Sequence, residues 1–235
     1  MKTKSQLIAL FLLIFTPCFA TDRAEELINH VQNCLNQAEQ SQSKLLPEIL
    51  EIQGMSGTKF RHFLNNLCTL PSTSYLEIGC WTGSTLVSAL YGNNERIQSA
   101  IAIDNWSQFQ RENPHVQIRR NIAKYAFNAP LRFIEQDCFT VALNEVFSQP
   151  VNIYFYDGAH EFADQEKAFT YFNLIFDDVF IAVVDDWNHP PAREGTKSAF
   201  KKLNYTVLQD WEIHTERNGV KETWWNGMYV AVIKK

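Results

Sequence analysis

The sequence predicts an α/β protein: a doubly wound, mostly parallel seven-stranded sheet with a C-terminal antiparallel hairpin and N-terminal cap helices. Five apolar runs, Tyr75 to Gly79, Ala100 to Asp104, Leu131 to Asp137, Val151 to Asp157 and Val179 to Asp185, are separated by polar, helix-compatible stretches. Runs of this kind, not merely alternating, suit parallel strands covered on both faces. Two further strand-like segments, Tyr205 to His214 and Trp225 to Ile233, are joined through Asn218-Gly219 and read as an antiparallel hairpin.

The elements follow in order. Lys2 and Lys4, the apolar stretch Leu7 to Phe15, Pro17 and the frame Cys18-Phe19-Ala20 have the order of a secretory signal cleaved after Ala20. The alternative is an uncleaved anchor, with residues 7–15 tethering the chain to a membrane. Those nine apolar residues are too few to span a bilayer comfortably, and no later run approaches about 18. From Asp22 to about Gln42, Leu27, Ile28, Val31, Cys34, Leu35 and Ala38 repeat with helical period, which predicts an amphipathic helix. Pro47 and Gly54 interrupt the next stretch, and a second helix from Thr58 to Leu67 turns Phe60, Phe63, Leu64 and Leu67 inward before Pro71. Residues 1–20 are thus a signal peptide, 21–70 a helical cap on the same domain, and 71–235 the sheet domain. The expected location is outside the cytoplasm, periplasmic or secreted.

Composition narrows the partners. The chain carries a net charge of −5, which becomes −7 if residues 1–20, with two lysines and no acids, are removed. No Lys/Arg block stands out, so a nucleic-acid partner has no electrostatic support. A homo-oligomer is compatible with the sequence. Cys34, Cys68, Cys80 and Cys138 remain in the exported chain; their even number permits disulfides, but no paired C-x-x-C suggests zinc.

The chemistry concentrates at the ends of the predicted strands. Residues 75–85, YLEIGCWTGST, turn from a strand through Glu77-x-Gly79, Gly83 and Ser84 into a helix, and Asp104 closes the next strand 21 positions after Gly83. Glycines allow a sharp turn and close ligand approach, while an acid ending the second strand can accept from ribose hydroxyls. Trp81 and Ser84 stand where a dinucleotide fingerprint needs small residues. Glu77 would repel phosphate and suits a ligand with an amino group. The structural alternative is a turn with no ligand.

Asp157 in YFYDGAH and Asp185-Asp186 in VVDDWNHP fall at the ends of neighbouring strands, which gathers three carboxylates. Oxygen-only ligands favour a hard divalent cation, Mg²⁺ first, which would lower the pKa of a bound hydroxyl; each acid could instead cap a helix or turn. His160 is placed to act as general base, or merely starts the next helix. His189 is a weaker candidate, held by Pro190 and Pro191. Asp137 could accept from an exocyclic amine such as that of adenine, or cap a helix beginning near Val141. Cys80 and Cys138 share this edge without a nearby His, and Trp81 and Trp106 could wall a ligand.

Together these motifs resemble the class I S-adenosylmethionine-dependent methyltransferases, with a Rossmann-like fold. LEIGCWTGS is similar to that family's first motif, AIDNW to its ribose-binding strand end and EQDC to its adenine-contacting segment. YDGAH followed by VVDDW resembles the metal-dependent O-methyltransferases acting on sugar or catechol-like hydroxyls, as does the lead-in GMSGTKFRHFLNNLC. The likeness covers nearly all of the mature chain, most tightly residues 51–235.

The resemblance implies S-adenosylmethionine as cofactor. Glu77 would contact its methionyl amino group, Gly79, Cys80, Trp81, Gly83 and Ser84 would form the loop around it, Asp104 would hold the ribose, and Asp137 and Cys138 would meet the adenine. Asp157, Asp185 and Asp186 would bind Mg²⁺ or another hard cation, with Asp157 and His160 carrying catalysis on a small-molecule or sugar hydroxyl. Acceptor choice is expected near Met55, Trp187 and Pro190. Two features depart from the pattern: Trp81 stands where the broad family often has glycine, and export would separate the enzyme from a cytosolic cofactor. An exported binding protein that keeps the fold without turnover is therefore the alternative. A related metal-dependent α/β enzyme ranks below it, because no Gly-x-Ser-x-Gly elbow or two-His-one-carboxylate set is present.

Overall fold

The computed structural model describes residues 18–110 and 113–235. The expected signal therefore falls mostly outside the described residues. The helix α1 (Cys18–Glu39) begins before the expected Asp22 and packs Leu27, Val31, Cys34, Leu35 and Ala38 into the core, one stripe of a 3.6-residue period. After it come a short helix, α2 (Pro47–Leu50), and α3 (Thr58–Leu67), which matches its expected span. Arg61 of α3 is buried. It donates to the carbonyls of Ile49, Leu50 and Ile52 and to Ser56 Oγ, so one guanidinium satisfies the chain leaving α2.

The strands are β1 (Thr73–Ile78), β2 (Ile97–Asp104), β3 (Leu131–Glu135), β4 (Val151–Tyr156), β5 (Phe176–Asp185), β6 (Thr206–Ile213) and β7 (Met228–Lys234). They form one sheet in the order β3-β2-β1-β4-β5-β7-β6. The first five run parallel, and β7 is antiparallel to both neighbours. The parallel strands are connected by α4 (Ser84–Leu90), α5 (Pro114–Tyr125), α6 (Leu143–Val146) and α7 (Phe162–Phe172), and α8 (Pro190–Lys202) leads from β5 to β6. Apolar side chains fill a core on each face of the sheet, which explains why β1 and β4 are buried along their whole length.

Several boundaries differ from expectation for local reasons. β3 stops at Glu135 because the Asp137 side chain accepts from Phe139 N–H and starts a 3-10 turn, Cys138–Thr140. The sequence places a Pro-Pro turn before a helix from Ala192, but α8 already starts at Pro190, whose missing N–H costs nothing in a first helical turn. The expected antiparallel hairpin forms between β6 and β7, but its first strand ends earlier and its second starts later than expected, so the connection through Asn218-Gly219 runs over residues 214–227 with a small inner bridge between Val220 and Trp225. This brings the end of that connection back beside the end of β5.

The strand order reverses between β1 and β4, each leading to opposite sides of the sheet. A crevice opens at the carboxyl ends of the strands at such a point, and the candidate site lies there.

Candidate active site

The site starts with the turn after β1. Gly79 has φ +83, and a Cβ built on it would lie 1.8 Å from the Asp157 carbonyl oxygen, so only glycine lets the ends of β1 and β4 approach this closely. Gly83, at φ +85, has Ile118 Cγ1 of α5 at 2.8 Å from the same virtual atom. Between them Trp81 is also left-handed, at φ +41. Its indole N–H donates to Phe109 O at 3.1 Å, and the Trp106 indole donates to Trp81 O at 2.9 Å.

Asp104 ties this loop down. Its Oδ2 accepts from the backbone N–H groups of Cys80 and Trp81, and its Oδ1 from that of Trp106, each at 2.7 Å. A carboxylate has about four acceptor sites, so about one remains for a ligand hydroxyl. The acid expected to hold a ribose is thus also the clip that shapes the loop.

On the other side, β4 and β5 pair with Tyr156 opposite Val184, which sets Asp157 beside Asp185. Their carboxyls are close enough for each to act on the other's ionisation. Burial, followed by the charges of Asp185 and Asp186, pushes the Asp157 pKa well above the usual carboxylate range; burial and Asp186 do the same to Asp185. Asp186 sits at φ +55, a conformation Asp tolerates, and its carboxylate is taken from two sides. His160 Nε2 lies 3.2 Å from Oδ2, and Asn226 donates to Oδ1 at 2.7 Å. Burial lowers the His160 pKa, with Asp186 opposing the shift. His160 Nδ1 and Asp185 Oδ1 are buried without a partner.

A cavity of about 490 Å³ joins the two halves. Gly79, Trp81, Asp104, Asp137, Cys138, Asp157, His160, Asp185 and Asp186 all line it, as does Trp106. Glu77, Cys80, Gly83 and Ser84 do not. Alternation along β1 turns Glu77 to the opposite face from Ile78, where it is fully buried and accepts from Tyr75 Oη at 2.6 Å and Thr85 Oγ1 at 2.7 Å. Burial raises its pKa to about 7. Cys80 contributes its backbone N–H to Asp104 rather than its side chain to the cavity. Trp187, expected near the acceptor, is instead buried and stacked on Tyr229 with ring centroids 4.2 Å apart.

Among the described residues, no group of three His, Cys, Asp or Glu side chains is arranged to hold a metal ion. The three expected carboxylates do converge, but Asp186 is engaged by His160 and Asn226. The thiols are free, Cys34, Cys68 and Cys80 buried, Cys138 half-buried; burial pushes Cys138 up to about 12, which removes it as a nucleophile near neutrality. No described helix is long and apolar enough to cross a membrane.

Phe109, Asp164, Trp225 and Asn226 are among the further lining residues that were not singled out in the sequence. Asp164 had a signal, an acid in the first turn of the helix after YDGAH. Trp225 and Asn226 had none, because their place follows from how the connection 214–227 folds back.

No protein-family model matches the sequence, and no curated protein matches it. Solved structures do. An O-methyltransferase from Bacillus cereus in complex with S-adenosylhomocysteine (SAH) superposes with a TM-score of 0.51 over 95% of this chain and 94% of its own, at 13% identity. An SAH-bound methyltransferase from Podospora anserina gives 0.54 over 98% and 100%, at 11% identity. The fold is that of the S-adenosylmethionine-dependent methyltransferases. TrmN from Thermus thermophilus also shares it, with a TM-score of 0.56 at 14% identity, although this chain spans only 52% of that protein. Within this methyltransferase fold, the described cavity occupies the crevice at the switch in strand order, between β1 and β4.

Proposed function

We propose that the chain transfers the methyl group of S-adenosylmethionine to a hydroxyl oxygen of a small molecule. The observation that carries this reading is one cavity with two chemically different ends. Gly79, Trp81, Asp104 and Asp137 wall one, and Asp157, His160, Asp185 and Asp186 the other. The cofactor, when bound, supplies an electrophilic methyl group on a sulfonium. Asp104 has an acceptor site left for a hydroxyl donor, and Asp137 offers a carboxylate oxygen beside Cys138 and Phe139.

At the other end His160 is oriented through Asp186. Nε2 is the ring nitrogen that faces the acids of the cavity, 3.2 Å from Asp186 Oδ2 and 3.9 Å from Asp157 Oδ1, while Nδ1 is buried, so Nε2 is the atom that takes the proton of an attacking hydroxyl once Asp186 releases it. Asn226 holds the second oxygen of Asp186 and fixes the pair.

A hard divalent cation such as Mg²⁺ belongs to this proposal. Its fit rests on an all-oxygen donor set and on the unpartnered Asp185 Oδ1; Asp157 and Asp185 would hold it, with Asp186 joining after releasing His160. Such a cation supplies a lowered hydroxyl pKa. We also propose export, on the strength of Lys2, Lys4 and Leu7 to Phe15; N-terminal sequencing of the chain recovered outside the cytoplasm tests it.

The central test is calorimetric titration of the full chain with SAH, with and without Mg²⁺, followed by an assay for SAH release from S-adenosylmethionine and hydroxylated acceptors. Binding and release support the proposal, and absence of SAH binding under both conditions overturns it. Binding without release from any acceptor would favour the non-catalytic alternative.

A further inference from the structure

α5 has an outward face that carries both charge and apolar bulk. Its inward side is engaged: Ile118 packs against Gly83, Asn121 donates to Thr82 O at 3.0 Å, and Ile122 and Ala126 lie on the core. At about 100° per residue, Val116, Arg120 and Ala123 fall together on the opposite side, flanked by Arg119 and Lys124, and Phe127 follows just past the helix end. Val116 is 66% and Phe127 72% exposed, and the Arg119 side chain 67%. Arg120, Ala123 and Lys124 are exposed as well.

The charge around this face is one-sided. From Asn113 to Ile134 the chain holds Arg119, Arg120, Lys124 and Arg132 and no acid, in a molecule of net charge −5. Glu135 takes Arg119 at 3.2 Å; among the described residues no carboxylate pairs with Arg120 or Lys124, and Lys124 donates to Tyr125 Oη. Apolar side chains standing out between Arg and Lys are the pattern of a helix seated in the interface of an anionic bilayer. There the apolar groups enter beneath the headgroups while the cations meet phosphates. The row is a convex helix face, so it suits a soft anionic layer better than a shaped protein partner, whose pockets would have to match each protruding side chain. Because the molecule as a whole is acidic, such a layer attracts this face against a general repulsion, which orients the approach.

We propose that the outward face of α5, with Phe127 beyond it, docks on the surface of an anionic phospholipid bilayer, the helix lying parallel to that surface. The inference goes beyond the methyl-transfer reading: none of these residues lines the cavity, and the contact needs neither cofactor nor acceptor. It also fits the alternative to a cleaved signal. A tether as short as residues 7–15 holds a chain only marginally, and a cationic, partly apolar surface is the kind of second contact that makes such anchoring stable.

The test is cosedimentation of the full chain with two kinds of vesicle: phosphatidylcholine alone, and phosphatidylcholine with phosphatidylglycerol in roughly three-to-one proportion. The mixed vesicles are expected to bind at least about tenfold more tightly at low salt, and the gap to close in molar salt, where the screening length falls to about 3 Å. Arg120→Gln combined with Lys124→Gln is expected to weaken binding to the mixed vesicles about thirtyfold, a little over fivefold for each cation. Phe127→Ser is expected to weaken binding to both kinds severalfold, through lost apolar burial. All three positions are exposed, so thermal unfolding midpoints should match the parent's. Lys2 and Lys4 are present in every chain compared, so their attraction to the lipid cancels between parent and variant. The proposal is overturned if the parent binds neither vesicle or both alike, if the double variant keeps the parent's preference for the mixed vesicles, or if Phe127→Ser changes nothing. Failure of SAH to bind would overturn the methyl-transfer reading and leave this result standing.

Discussion

Asn226 donates to Asp186 Oδ1 at 2.7 Å while His160 Nε2 lies 3.2 Å from Oδ2 of the same carboxylate. One acid at the end of β5 is thereby gripped from the hairpin connection on one side and from the β4 end on the other. Asn226 touches no reacting atom in this arrangement and acts through Asp186, as a positioning residue.

Replacing Asn226 with Ala is therefore expected to lower kcat by about a hundredfold, the effect of misplacing a catalytic pair by an ångström, while leaving the cofactor KM unchanged. Steady-state kinetics separates the two parameters. Equal losses in kcat and cofactor KM would point to a general loosening of the fold.

Gly79→Ala is expected to destabilise the protein by at least about 3 kcal/mol, since it combines a positive φ with a collision. The new Cβ would sit 1.8 Å from Asp157 O, a backbone atom that cannot swing aside. Urea unfolding gives the difference, and a midpoint equal to that of the parent chain would contradict the described approach of β1 and β4.

Asp104→Asn keeps shape but offers one carbonyl oxygen where three backbone N–H groups need acceptors. The amide NH₂ then faces a donor, so a loss of about 1–3 kcal/mol is expected, together with weaker SAH binding. Unfolding and titration on the same variant report both. Unchanged stability would show that Asp104 does not clip the loop.

Glu77 makes a pH prediction. In the fold its carboxyl keeps a proton until about pH 7 because burial disfavours the charge, whereas a free carboxyl of ordinary value 4.5 has already lost it. Between those values the folded state binds more protons than the unfolded one, so this group's contribution to stability falls as pH rises through the window. Glu77→Gln removes the cost, because the Tyr75 and Thr85 hydroxyls can rotate to suit an amide. Its unfolding free energy should be less sensitive to pH in that range and higher than the parent's by up to about 3 kcal/mol above it. A variant that follows the same pH dependence as the parent would sink this account.

The sheet and its rim of acids are legible in the sequence for a local reason. Apolar runs such as Val151 to Tyr156 mark strands covered on both faces, and Asp104, Asp157 and Asp185 follow them directly, so parallel alignment alone collects the acids at one edge. The glycines are equally readable, since Gly79 and Gly83 take conformations that side chains avoid.

Tertiary structure decided the rest. Whether Glu77 faces the cavity depends on the phase of β1, because neighbouring strand residues point to opposite faces, and the phase is set by the core packed around Tyr75 and Thr85. Whether Asp137 stands free or caps a turn depended on the backbone after β3, and Asp104 proved to be bonded by loop amides that only the folded turn brings to it. The partner of Asp186 lies forty positions further along, where β7 returns antiparallel with Met228 opposite Asp185. Periodicity describes neighbours within a strand or helix; a contact between residues so far apart exists only after the sheet has closed and oriented both chain segments.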